Sequence, residues 1–414
     1  MTAARRSGDR FAASQREQLA ALLRLLRGGT VELAFDGGTI MAFGDGEGPT
    51  CRLRWSDRAT TNSLASGTVG FCDGYVAGDW SVERGTLLEI LDLLVRSQRH
   101  LALKSHAGWK AVAHTALRTA RIRLDIEREH RSVRSHYDVG NEFFALWLDA
   151  GMTYSCGFAR TPSDTLEQMQ QQKLDLACEK LQLREGQHLL DLGCGWGSLA
   201  LHAARERGVR VTAVNVSGEQ LRYVRERVAQ ARIGDRVSVV ESDYRAVAGA
   251  FDAVAAVGLA EHAGRRGVAD LFDSCARVAR EGAPILVHTI ADAAGSGMDP
   301  WLERRVFPGA NVVGLADLSK AAERAGLRVC HVENIGTHYA LTLRHWLGRF
   351  LAASETIDQR YGPAFRRSWE MYLSMLIPTF EHLSTCVFQV VATKGPGASA
   401  RRNGFTSLSA GPGR

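Results

Sequence analysis

Proline is scarce in this chain, nine in 414 residues, which excludes a collagen-like repeat. Cysteine is scarce as well. Eight are spread through the sequence with no C-x-x-C pair, too few for a disulfide scaffold and in no metal-ligand spacing. A cytoplasmic protein with reduced thiols and no metal site is therefore expected. No run approaches the ~18 uninterrupted apolar residues of a membrane span. The opening MTAARRSGDR is polar with no apolar core behind it, so no secretory signal is expected. Neither sign of charge dominates: 51 Lys+Arg stand against 45 Asp+Glu, net +6. Mild basicity suits an anionic partner, nucleic acid or an anionic membrane surface, and equally suits a chain with arginine-rich solvated faces. A hydrophobic share of 45% with 23% charged residues argues against disorder.

At roughly 100–200 residues per domain, the length suggests two or three domains. Residues 1–18 read as a polar arm. LAALLRLL (19–26) reads as an amphipathic helix stopped at Gly28-Gly29. TVELAF and TIMAF around Asp36-Gly37-Gly38 make a hairpin, CRLRW alternates again, and TLLEILDLLV is helical. Residues 19–100 thus form a small α+β domain. Residues 101–134 interleave Lys104, Lys110, Arg118, Arg121, Arg123, Arg128, Arg131 and Arg134 with apolar residues. They read as a basic linker helix, either facing a membrane surface or phosphate, or simply solvated. From residue 135 to 394, strands and helices alternate: QHLLDLG, SLALHAARERG, VRVTAVNVS, GEQLRYVRERVAQA, RVSVVESD, FDAVAAVG and GAPILVHTI. That order predicts an α/β domain with a doubly wound sheet. The tail, 395–414, is rich in Gly, Ser and Arg and is expected to be disordered.

The sharpest motif is Asp191-Leu192-Gly193-Cys194-Gly195-Trp196-Gly197. A strand ends in a carboxylate, and a glycine-rich turn then opens a helix, so backbone can approach a ligand closely. The spacing is not G-x-G-x-x-G, and no GKS or GKT follows, so a P-loop is excluded. On its own the turn could be an ordinary tight strand-to-helix connection. In its strand context, the D-x-G-x-G-x-G form resembles class I S-adenosylmethionine-dependent methyltransferases with their Rossmann-like sheet. The resemblance implies that Tyr154, Ser155, Asp191, Gly193, Gly195 and Gly197 belong to the cofactor site. Asn215 stands where most such enzymes carry an acid for the ribose, which makes Gln220, beside Ser217, the expected ribose partner. Asp243 and Tyr244 are expected near the adenine, although Tyr244 can also be read as packing.

Further segments point to one family: His136 to Phe144 (HYDVGNEFF), Met152 to Gly157 (MTYSCG), Gln172-Lys173-Leu174, Glu261-His262, His288-Thr289-Ile290, Asp299-Pro300-Trp301 and Phe307-Pro308-Gly309. Together they resemble cyclopropane-fatty-acyl-phospholipid synthases and the related mycolic-acid cyclopropane synthases, over about residues 130–395. The resemblance implies methyl transfer to a cis double bond of a phospholipid acyl chain. A carbocation forms at the neighbouring carbon, and loss of a proton closes the ring. Bicarbonate is the implied base, cradled by Cys156, Glu261, His288, Ile290 and Tyr339. Tyr137, Phe158 and Tyr339 are the aromatic candidates for facing the cation. Cys156 also fits a buried structural cysteine, Glu261 could itself take the proton, and His262 is expected either to stand behind the site residues or to be structural. A phospholipid membrane surface is the implied partner, with peripheral attachment to its inner face, and a homodimer fits the same resemblance.

The chain departs from the family at two places. Leu259-Ala260 stands where members often read Met-Phe before Glu-His, and Leu376 to Glu381 (LIPTFE) replaces a Cys-Ala-Gly-Ala-Phe-Arg segment. Both changes bear on the acyl channel, so a methyl-branched or methylene product stands beside the ring. A nucleic-acid methyltransferase is disfavoured, since Gly258-Leu259-Ala260-Glu261-His262 replaces the N-P-P-Y or Pro-Cys motif expected there. A non-catalytic lipid-binding protein is disfavoured by the presence of Glu261, His288 and Tyr339 together.

Overall fold

The structure is a computed structural model that describes residues 2–36, 38–102, 139–294, 297–308, 310 and 312–395. Of the stretch expected as a basic linker, only the first residues fall within this set. Tyr137 and the tail beyond residue 395 lie outside it.

The N-terminal part pairs a four-stranded sheet with helices. Its strands are β1 (Thr30–Phe35), β2 (Ile40–Gly44), β3 (Thr50–Trp55) and β4 (Trp80–Arg84), in the order β2-β1-β3-β4. The β1–β2 hairpin is antiparallel and β1–β3 is parallel. Strict alternation buries Val31, Leu33 and Phe35 with Cys51, Leu53 and Trp55 on one face. Helix α1 runs Thr2–Leu23, so residues 2–18, expected as an arm, are helical instead. The segment carries four Ala and four Arg and is free of proline, which favours helix. Arg16 fastens it, bonding Asp57 at 2.7 Å and lying over the Phe35 ring. Helices α2 (Asp57–Ser66) and α3 (Thr68–Ala77) were not evident in the sequence. They meet so closely at Gly70 that a Cβ there would collide with the Asn62 carbonyl. Helix α4 (Leu87–Ala102) completes this part.

The second part is a seven-stranded sheet in the order β10-β11-β9-β8-β5-β6-β7. The strands are β5 (His188–Leu192), β6 (Arg210–Asn215), β7 (Val237–Glu241), β8 (Ala253–Val257), β9 (Pro284–Asp292), β10 (Leu327–Asn334) and β11 (Thr385–Lys394). The pairs from β9 to β7 are parallel, while β11 runs antiparallel to both β9 and β10. Near-continuous apolar runs, as in β8 and β9, follow from burial on both faces. The covering helices are α5 (Asn141–Ala145), α6 (Leu166–Lys180), α7 (Ser198–Glu206), α8 (Gly218–Ala231), α9 (Ala260–Val278), α10 (Pro300–Arg305), α11 (Leu315–Arg324), α12 (Gly336–Ala352), α13 (Ser354–Tyr361) and α14 (Pro363–His382). This is the doubly wound α/β sheet expected from the sequence. β5 lies between β6 and β8 where the strand order reverses, and the crevice beyond its carboxyl end is where such sheets bind ligands. Helices α3 and α4 pack on α14, joining the two parts.

Candidate active site

A cleft opens at that crevice. Of the residues expected to hold the cofactor, Tyr154, Ser155, Asp191, Gly193, Gly195, Asn215, Gln220, Asp243 and Tyr244 line it. Gly197 and Ser217 do not. A Cβ on Gly197 would meet Leu201 and Val224 at 2.9 Å, so this glycine lets α7 pack against α8. Ser217 caps α8, accepting from the Gln220 amide. Gly195 has φ +54°, and nothing lies within 4 Å of the Cβ it lacks, so that space belongs to the cleft.

Asp191 is buried, and its Oδ2 has no hydrogen-bond partner among the described residues. Burial pushes its carboxyl up to about 7 despite the nearby Lys173. An unsatisfied carboxylate oxygen facing a cleft is matched by a cationic donor such as an amino-acid ammonium. Asn215 and Gln220 prove to be partners: Asn215 Nδ2 donates to Gln220 Oε1 at 2.8 Å, and Asn215 Oδ1 accepts from the Val216 amide. With its oxygen engaged, Gln220 offers its NH₂ to a ligand oxygen such as a ribose hydroxyl. The Asp243 carboxylate is held by the Arg245 guanidinium at 2.8 and 2.7 Å and by the Arg245 amide. Arg245 also covers the Tyr244 ring, so the Asp243–Arg245 turn forms this wall as a unit.

The Met152–Cys156 loop closes the other side. Asp149 accepts from the amides of Gly151 and Thr153, Arg227 donates to the Gly151 and Trp196 carbonyls, and Gln170 donates to the Ser155 carbonyl. Gln170 sits on α6, whose inward face carries Gln170, Lys173, Ala177 and Lys180 at helical spacing. Sequence reasoning missed Lys173 as a site residue. It is 2% exposed, donates to Ser155 Oγ at 3.2 Å and lines the cleft. Burial lowers its ammonium to about 8, while Asp149, Cys156 and Asp191 oppose that shift. The signal was there: Lys173 and Lys180 fall in register with the buried Leu166, Met169 and Ala177. His262, expected behind the site residues or as structural, lines the cleft itself, and burial holds its imidazole down near 4.

The residues expected to cradle bicarbonate come from two places in the fold. Glu261, at the start of α9, accepts from Thr289 Oγ1 at 2.7 Å on β9. Burial raises its carboxyl, opposed by hydrogen bonds from Thr289 and the Ile290 backbone. His288 lies on the same strand, 3% exposed, and burial lowers it to about 3, leaving a neutral ring. Its Nδ1 lies 3.1 Å from Gln389 Nε2. Gln389 Oε1 in turn accepts from Lys180, which also pairs with Glu333. The second place is the start of α12. The Cys156 thiol donates to the Gly157 and Ile335 carbonyls, and burial raises its pKa. Tyr339 is buried against Phe380 and Trp346. The Lys173 charge acts on both Cys156 and His288.

Phe158, an aromatic candidate, lies against the His338 ring at a tilt. The larger aromatic cluster was not anticipated: Phe144, Trp147, Tyr154, Trp346 and Trp369 meet ring to ring beside the cleft. Beyond it lies a second cavity lined by Val139, Arg305, Val306, Pro308, Phe365, Ser368, Trp369 and Tyr372. The two spaces share a wall, since the Tyr372 and Tyr154 hydroxyls lie 2.8 Å apart. Phe307 packs between Tyr372 and His262. Leu376–Glu381, one of the departures, lies in α14, whose interior holds Pro378. Ala260, the other, is fully buried at the start of α9. Among the described residues, Asp92, Glu381 and His382 could jointly reach a metal ion. Arg96 and Arg344 already pair with the two acids, and His382 bonds Asp92.

Several known proteins resemble this chain. The chain is 36% identical over 285 residues to the "Probable fatty acid methyltransferase" of Pseudomonas putida, covering 65% of this chain and 71% of that one. It is 32% identical over 338 residues to the cyclopropane-fatty-acyl-phospholipid synthase of Escherichia coli, covering 80% and 85%. The crystal structure of mycolic acid cyclopropane synthase CmaA1, complexed with SAH and CTAB, superposes with a TM-score of 0.61 at 26% identity, covering 64% of this chain and 98% of that one. Its sheet is the Rossmann-like one of S-adenosylmethionine-dependent methyltransferases. Residues 125–390 match the family model for mycolic acid cyclopropane synthetase, and with them the chain belongs to that family.

Proposed function

We propose that the chain is an S-adenosylmethionine-dependent lipid methyltransferase acting on the cis double bond of unsaturated acyl chains of membrane phospholipids, with a cyclopropane ring as product. One observation carries this reading: the cleft with the unsatisfied Asp191 shares the Tyr154–Tyr372 wall with an apolar, aromatic cavity suited to an alkyl chain. Bound S-adenosylmethionine would supply an electrophilic methyl group. Asp191, the Gly193–Gly195 backbone and Gln220 would hold it by its ammonium, its methionine end and its ribose.

The chain's own residues then have three tasks. An alkene is a weak nucleophile, so the loop from Met152 to Cys156 and the aromatic wall must hold it in line, since orientation supplies much of the rate. Positive charge on the lipid carbon is best placed in a dry site against ring faces, and Tyr339 and its neighbours offer these. A bicarbonate would supply the base. Its oxygens match the N–H of neutral His288 and the hydroxyl of Tyr339, and its own proton matches the Glu261 carboxylate. Attachment to the inner membrane face would draw on the cations from Lys104 to Arg134, each worth about 1 kcal/mol near an anionic surface.

A methylene product, formed when the cation loses a different proton, or a methyl-branched one, formed when a separate reductase with a hydride donor then reduces that alkene, is the second reading. It is favoured by the departures at Ala260 and Leu376–Glu381 and by relatives named as fatty acid methyltransferases. Mass spectrometry of lipids from an expressing host separates the products. A ring and a methylene group share a mass and differ in fragmentation, and a saturated methyl branch is heavier. Unchanged lipids alongside labelled nucleic acid would overturn the proposal.

A further inference from the structure

Among the described residues, the second cavity has one charged wall residue. Val306, Phe365, Trp369 and Tyr372 give it apolar walls, and Arg305 is the ionic group among its described lining residues. Arg305 does not belong to the catalytic part alone. Its Nε and Nη2 donate to Asp73 of α3 at 3.1 and 2.8 Å, and Trp301 Nε1 donates to the same carboxylate at 3.0 Å. The guanidinium side chain is nevertheless 57% exposed, and Arg304 adds a second charge near Asp73.

We propose that Arg305 is a phosphate subsite for the phospholipid head group, and that Asp73 is the internal counter-ion which the phosphate replaces. The inference rests on the proposed function and names where its substrate is gripped. An alkyl chain in the cavity needs its polar end outside the apolar walls, and a cation at those walls complements a phosphodiester. Guanidinium donates to phosphate in the same forked geometry it now uses with Asp73. A carboxylate held by two N–H groups is an isosteric stand-in for two phosphate oxygens. Because Asp73 comes from the N-terminal part, lipid capture at Arg305 also loosens one tie between the two parts. That gives α3 a direct role in substrate entry. Phosphate on a free ion or an acyl carrier shares the chemistry, and the assay arms below separate them from the lipid.

The test compares wild type with Arg305→Gln, Arg305→Lys and Asp73→Asn. Substrates are vesicles of a cis-unsaturated phosphatidylglycerol and vesicles carrying a diacylglycerol of the same chains. The readout is the ratio of kcat/KM for the two lipids. Arg305→Gln should lower the preference for phospholipid about tenfold through a higher KM, Arg305→Lys should restore part of it, and Asp73→Asn should raise it. Calorimetry with a soluble short-chain phosphatidylglycerol reads the subsite without turnover, and Arg305→Gln should weaken that binding about tenfold too. An unchanged lipid ratio and unchanged binding in Arg305→Gln overturn the subsite. So does inhibition of the wild type by millimolar inorganic phosphate or by a phosphopantetheinylated acyl carrier with no lipid-ratio change. Wild type that binds the short-chain lipid through Arg305 but methylates neither vesicle would fail the proposed function and leave the subsite standing.

Discussion

Gln389 Nε2 lies 3.1 Å from Nδ1 of His288, and neither side chain is open to solvent. Lys180 fixes which way the amide points. An ammonium can only donate, so it takes Gln389 Oε1 and leaves the NH₂ for the ring. Nδ1 of His288 is then an acceptor, and the ring proton sits on Nε2, ready to donate to an anion.

Gln389→Leu should therefore free the tautomer. Turnover should fall about 10–100-fold, as is usual when the group orienting a functional histidine is lost, while S-adenosylmethionine affinity stays near wild type. Nitrogen-15 NMR of the histidines should show the His288 proton shared between ring nitrogens in the variant. A variant with full turnover, or one whose His288 spectrum is unchanged, would separate this pair from the chemistry.

Cofactor affinity should depend on pH through Asp191. Its carboxyl is raised to about 7, chiefly by burial, so below that pH the empty site holds a proton that a cationic ligand must displace. Affinity should rise with pH up to about 7 and level off above it. The same shift sets the sign for stability. The folded protein keeps this proton where the unfolded chain has released it, so stability from this group is full at low pH and declines as pH rises toward 7. Asp191→Asn should weaken binding at pH 8 and flatten the profile. Calorimetry from pH 5.5 to 8.5 on both proteins decides it, and a flat wild-type profile would remove Asp191 from the ammonium role.

Gly195→Val should abolish cofactor binding in a folded protein. The missing Cβ faces only open cleft, and φ of +54° adds backbone cost for any side chain. Gly197→Val should instead lower the melting temperature, because its Cβ would strike Leu201 and Val224. Thermal melts and titrations of the two variants should show this exchange of phenotypes.

The parallel part of the central sheet was legible because its inner strands β5, β8 and β9 are apolar runs buried on both faces, and because the Gly193–Gly197 turn punctuates them, whereas β10 and β11 were not read. The helix read as GEQLRYVRERVAQA is α8 itself, Gly218–Ala231. Helices α2 and α3 were not legible. Gly67, Gly70 and Gly74 look like loop residues until the close approach of the two helices explains Gly70. The site was legible at its glycines and acids, where residue type is the message. It was not legible where a residue acts through a partner distant in sequence. Asn215 and Gln220 read as alternatives and are a pair, and Asp243 reads as open although Arg245 holds it. Lys173 and Lys180 were not singled out as site residues, yet helical phase turns both inward.

The base is the last point to test. Glu261 accepts from Thr289 Oγ1, and burial raises its carboxyl, so it can either orient a bicarbonate or take the lipid proton itself. Glu261→Gln keeps the shape and the Thr289 contact but removes the carboxylate. Turnover should fall at least ~100-fold, the scale of general-base contributions, with cofactor affinity near wild type. If Glu261 only orients the ion, added bicarbonate should restore part of the activity of Glu261→Gln and of His288→Ala by mass action on a weakened site. If Glu261 is the base, no concentration of the ion should help. Wild type in carefully bicarbonate-free buffer gives the complementary result. Loss of turnover there, reversed by adding the ion back, supports the ion as base. Full turnover without it would sink the bicarbonate mechanism and make Glu261 or Tyr339 the group that removes the proton.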